Sequence, residues 1–168
     1  MNQNRSKAVL LAQAGLIAAL YVALTYLSAY FNLASGAIQV RISEALTVLP
    51  FFTVAGVPGV TLGCFLANLL IGSPWPDVVF GTFATLLGAL GSYALKKNRI
   101  LVSVPPVISN MVIVPLILKF AYSVPGELWY FAITVGIGEI VSCVVFGQVL
   151  ITALMPLRHR IFGDWCDK

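Results

Sequence analysis

Charge is what this chain has least of. Only 10% of its 168 residues are Asp, Glu, Lys or Arg, and there is a single histidine. Soluble domains carry about a quarter charged residues, so little remains here to hold a folded surface in water. Catalytic motifs are missing too. No glycine-rich loop ends in Gly-Lys-Ser/Thr to cradle phosphates, and neither His-Glu-x-x-His nor Gly-x-Ser-x-Gly occurs. His159 stands in a basic tail. These absences argue against ATP hydrolysis within the chain and against most acid–base catalysis. The expectation is a non-enzyme with no cofactor and no resident metal. Cys64, Cys143 and Cys166 are odd in number and widely spaced, giving neither a disulfide framework nor a metal-ligand spacing. The net charge of +4 would suit nucleic acid, but the basic residues form no aromatic-interleaved patch. They stand at the ends of apolar runs, as topology determinants do.

What fills the chain is apolar: 60% hydrophobic residues and a mean hydropathy of +0.96. The reading is an all-α integral membrane protein, one domain over 1–168, with six transmembrane helices near 8–31, 41–56, 58–72, 78–95, 102–122 and 128–155. The first run is too long for a signal-peptide core and shows no cleavage site, so it stays as a helix. The uncharged stretch 45–72 would be about 42 Å long as one helix, too much for a bilayer core. Gly56-Val57-Pro58-Gly59 breaks it into two. Six spans place both termini in the cytoplasm, with eight of the ten basic residues on that side; Arg41 and Lys119 are the exceptions.

Ionisable groups at bilayer depth are costly and mark functional sites. Glu139 interrupts an otherwise uncharged run on a face shared with Gly136, Cys143 and Gly147. Arg41 and Glu44 open another apolar run, where they could bind a ligand or pair at i,i+3. Asp77 and Glu127 precede helices, either as N-terminal caps or as acids of an outer vestibule. Asn68 and Asn110 are interhelical glue or pocket donors and acceptors. Trp75, with Tyr122, Trp129 and Tyr130, fits an aromatic belt or a stacking wall. In the first span Ala8, Ala12, Gly15, Ala19 and Ala23 share one face, with Ala14 and Ala18 round the side. Such faces serve close helix packing, within the chain or against a partner subunit.

The block VRISEALTVLPF (Val40–Phe51), the run GVTLGCFLANLL (Gly59–Leu70) and the loop SPWPDVVFGT together resemble the QueT family of queuosine-precursor transporters, over essentially the whole chain. Within that likeness the chain is similar to the S components of energy-coupling factor (ECF) transporters. The resemblance implies a bacterial cell-membrane protein binding a small molecule in a pocket near the outer side. It also implies capping by the loop between the first two helices, and a complex with a T component and two cytoplasmic ATPases. Ala14, Ala18, Ala19 and Ala23 are then the docking residues. A 7-deazaguanine such as preQ1 has adjacent N–H donors and, in its aminomethyl form, an ammonium; acids and aromatic walls suit both. Thiamin or another cationic aromatic vitamin would fit the same chemistry. A membrane scaffold would use the alanine face and need no acidic pocket.

Overall fold

Backbone amides without water have to be satisfied within their own segment, and helices do that. The computed structural model describes residues 3–33, 39–123 and 125–163, with side chains from residue 7 onward, and among these no strand occurs. Residues 34–38 of the expected capping loop, Val124, the tail residues Asp164, Cys166, Asp167 and Lys168, and the side chain of Arg5 lie outside the described residues.

Six helical segments follow one another: α1 (Gln3–Tyr30), a 3-10 helix (Ile42–Phe51), α2 (Gly56–Ile71), α3 (Asp77–Ala94), α4 (Leu101–Ala121) and α5 (Leu128–Phe162). Four of them, α1, α3, α4 and α5, are long and apolar enough to cross a membrane. Two differences from the sequence reading have physical causes. The segment expected near 41–56 is a ten-residue 3-10 helix, about 20 Å long and short of the roughly 30 Å core. Helix α5 continues to Phe162 because Pro156 sits at the start of a 3-10 turn (Met155–Leu157), where its fixed φ and missing N–H do little harm. Arg158, His159 and Arg160 are therefore helical.

The 3-10 helix is the centre of the molecule. Such helices seldom exceed four residues, so a run of ten depends on its surroundings. Ser43 to Pro50 are all buried, and α1, α2, α3 and α5 pack around them. Thr47 Oγ1 donates to the Glu44 carbonyl at 2.6 Å, and Cys143 Sγ of α5 reaches the same oxygen at 3.6 Å. The far end is filled by Phe52 stacked on Phe162, with centroids 5.0 Å apart.

Two crossings need glycine. A Cβ on Gly63 would lie 2.6 Å from Tyr21 Cβ, so α2 meets α1 almost backbone to side-chain root. A Cβ on Gly138 would lie 2.0 Å from the Gln39 carbonyl oxygen, so α5 presses directly on the chain entering the 3-10 helix.

The helices set up two unlike poles. Gln13 Nε2 donates to the Ile161 carbonyl and Thr53 Oγ1 donates to Gln13 Oε1, bringing together the start of α1, the end of the 3-10 helix and the end of α5. Arg99 joins the same pole through Gln148 and Thr152 of α5. At the opposite pole the ends of α1, α2 and α4 surround the starts of α3 and α5, and there a cavity opens.

Candidate functional site: an acid-floored cavity

The cavity has a volume of about 380 Å³, within the range of small-molecule sites. Every helix contributes to it: Thr25 from α1, Asn68 from α2, Asp77 and Thr85 from α3, Asn110 and Tyr122 from α4, and Glu139 from α5. Arg41 and Glu44 come from the 3-10 helix and its approach.

Irregular backbone positions several of these side chains. Asp77 and Gly81 bound a π-helical turn that opens α3, Ile117–Ala121 forms another that closes α4, and a third, Ile140–Phe146, begins directly after Glu139. π turns recur at functional sites because the wider turn re-aims neighbouring side chains.

The floor is made by Glu44, Glu139 and Asn110, exposed by only 2%, 8% and 4%. The phenol of Tyr21, buried in α1, donates a hydrogen bond to Glu44 Oε1. Among the described residues Glu44 Oε2 is buried without a well-formed hydrogen bond, and the Asn110 side chain lies beside both carboxylates. Cys143 Sγ donates to Glu139 Oε2 at 3.2 Å. One oxygen from each carboxylate and the thiol sulfur lie within 4.8 Å of one another. Three such donor atoms could hold a divalent cation, and the oxygens serve equally well as acceptors for N–H groups.

Arg41 does not neutralise this floor by direct contact. Its Nη2 donates to Asn68 Oδ1 at 2.9 Å, and no ion pair joins it to Glu44 among the described residues. Asn68 Nδ2 in turn donates to the Asp77 carbonyl at 3.1 Å, so Asn68 ties the 3-10 entrance to α3. At the mouth Tyr122 Oη donates to Asp77 Oδ2 at 2.5 Å. Burial, with this bond to a carboxylate behind it, raises the Tyr122 phenol above its ordinary pKa. It therefore stays protonated and keeps donating.

Six of the eight candidate binding residues thus share one cavity: Arg41, Glu44, Asn68, Asp77, Asn110 and Glu139. Trp75, 70% exposed, and Glu127, also exposed, are not part of its lining. Glu127 occupies the N-cap position of α5 without making a side-chain cap bond. Tyr21, Thr25 and Thr85 belong to the site or its support and carry no binding expectation from the sequence, whereas Tyr122, expected as a belt or stacking aromatic, lines the cavity and donates to Asp77. For Tyr21 and Thr25 the only signal was a hydroxyl recurring one turn apart on α1. The four alanines divide. Ala18 is buried and Ala14 part-buried against α2, whereas Ala19 and Ala23 are exposed, in line with exposed Ala8, Ala12 and Gly15.

Four long apolar helices around a polar cavity of small-molecule size mark a multi-pass membrane protein. A family model described as QueT transporter matches residues 11–156, and the chain belongs to that family. It is also similar to the queuosine precursor transporter QueT of Lactococcus lactis subsp. cremoris (strain MG1363), with 36% identity over 84 residues. The aligned part spans 50% of this chain and 49% of that relative, about half of each. No solved structure matches the chain.

Proposed function

We propose that this chain is the substrate-binding S component of an ECF-type importer and takes up a queuosine precursor, a 7-deazaguanine such as preQ1, across a bacterial cell membrane. The observation that carries the reading is the composition of the cavity: three carboxylates, three amides and an arginine in about 380 Å³, in a chain with no phosphate-cradling loop. The Lactococcus relative is named for queuosine-precursor transport, and the acids here suit that chemistry. In this reading Glu139 accepts from the donor edge of the base. The positive group of an aminomethyl arm sits by Asp77, the acid at the mouth. Both termini face the cytoplasm, where two ATPase subunits act through a T component that docks on the exposed small-residue face of α1.

Titrating the purified protein with preQ1 by isothermal calorimetry tests binding, and a saturable one-to-one isotherm is expected. Reconstituted alone in liposomes with internal ATP, the chain should give no concentrative uptake. Sustained ATP-dependent accumulation without further subunits would overturn the S-component role, and absence of any 7-deazaguanine binding would overturn the substrate.

A further inference from the structure

Among the described residues the buried acceptor of the cavity floor without a well-formed hydrogen bond is Glu44 Oε2, with the Asn110 side chain beside it. A buried carboxylate oxygen without a partner leaves its desolvation cost uncompensated, so a native fold that keeps one invites a functional account. The carboxylate is not free to turn away. Its other oxygen is held by Tyr21, its backbone carbonyl by Thr47, and its helix is sewn to α1 by Thr25 Oγ1 donating to Ser43 Oγ at 2.9 Å and Ile42 N–H donating to Ser28 Oγ at 3.0 Å. The nearby cation, Arg41, is engaged by Asn68 instead. Across the floor a Glu139 oxygen lies within 4.8 Å of one from Glu44. Two acceptors that close, on two different helices, suit two adjacent N–H donors of one flat group better than a single point charge.

We infer that Glu44 and Glu139 together grip an amidine-type edge, an N–H with an exocyclic amine beside it, and that Tyr21 is the positioning residue that aims Glu44 Oε2 at that amine. This rests on the reading of the cavity as a base-binding site, and it adds a division of labour. Glu44 reads the exocyclic amine, Glu139 the ring N–H, and Asp77 is left for a substituent at the mouth. Tyr21 touches no ligand. It acts by occupying Glu44 Oε1.

The test compares 7-deazaguanine, which has the exocyclic amine, with 7-deazahypoxanthine, which lacks it. Both are titrated calorimetrically into the wild-type protein, Glu44→Gln and Tyr21→Phe. Wild type should prefer 7-deazaguanine by about tenfold or more, the worth of a hydrogen bond to a charged group. Glu44→Gln and Tyr21→Phe should both lose most of that preference, and a cooperative thermal unfolding transition in detergent checks that each is folded. A tyrosine needed only for packing would weaken both ligands alike, and that result overturns its positioning role. Wild-type binding of the two bases with equal affinity, or a Tyr21→Phe protein that keeps the full preference, overturns the inference and leaves the base-binding reading standing. If wild type binds neither base, both fall together.

Discussion

The two faces of α1 are built from the same small residues and do opposite things. The inward face, with Ala14, Ala18, Tyr21 and Thr25, meets α2 and the 3-10 helix so closely that Gly59 and Gly63 have no room for a side chain. The outward face, with Ala8, Ala12, Gly15, Ala19 and Ala23, is exposed, and a Cβ added to Gly15 would meet nothing within 4 Å. A small residue on a membrane helix therefore carries two meanings. One allows a contact already made within the chain, and the other leaves space for a contact still to be made.

The comparison breaks most sharply at Gly63. Gly63→Leu has to displace Tyr21 and with it the hydrogen bond to Glu44, so it should destabilise the protein by about 3 kcal/mol or more, the upper range for overpacking. Gly15→Leu should leave the thermal midpoint in detergent unchanged. Equal midpoints for the two variants would show that the faces do not differ.

Next in size are the acids that the inward face supports. Glu139→Gln keeps the shape of the side chain but replaces an acceptor with a donor. A charge-assisted bond contributes about 1.5–3 kcal/mol, so affinity for preQ1 should drop roughly ten- to a hundred-fold, nearly as far as in Glu139→Ala. Parent-like affinity for Glu139→Gln would make the carboxylate a structural partner of Cys143 and shift attention to Asn68 and Asn110.

A smaller and more selective effect is expected at the mouth. Asp77→Asn removes the charge but leaves an oxygen for Tyr122. It should weaken the aminomethyl ligand preQ1 by roughly tenfold and leave the cyano ligand preQ0, which has no ammonium, within about twofold. Equal losses for both ligands would mean that Asp77 shapes the cavity and does not read the positive group.

Much of the helical framework was legible because a membrane imposes length and polarity rules on sequence. Two short segments do occur where one long run was excluded, but the break falls at Phe52–Ala55, and Gly56-Val57-Pro58-Gly59, expected as the turn, forms the first turn of α2 because proline and glycine are tolerated there. The same rules drew attention to Glu44 and Glu139 as charges that needed a reason. What could not be read was how the second segment winds. Periodicity cannot separate an α-helix from a 3-10 helix over ten residues, and burial among the surrounding helices holds this one. Spacing placed Arg41 beside Glu44, yet Arg41 is extended, just before the 3-10 helix, and its guanidinium donates to Asn68. Tyr21 was invisible for a related reason. A tyrosine in an apolar helix looks like packing until a partner 23 residues away meets its hydroxyl. Tyr122 looked like a belt residue because its acceptor, Asp77, comes from another helix 45 residues earlier.

The smallest effect on the isolated chain is expected at Ala19, and it separates the two faces most cleanly. Ala19 and Ala23 are exposed on α1, one turn apart, while Ala18 beside them is buried. Replacing Ala19 or Ala23 by Leu adds apolar bulk to a lipid-facing surface and touches nothing in the fold, so stability and preQ1 affinity should stay within about 0.5 kcal/mol of the parent. The same bulk prevents a second helix from approaching to backbone distance, which is what a small-residue face permits. Ala19→Leu should therefore abolish co-purification with a T component and end transport in the reconstituted complex, while Ala18→Leu should fail earlier, at folding or at ligand binding. Intact co-purification and uptake by the Ala19→Leu, Ala23→Leu double variant would show that the outward face only meets lipid, and the docking surface would then have to be sought on another helix.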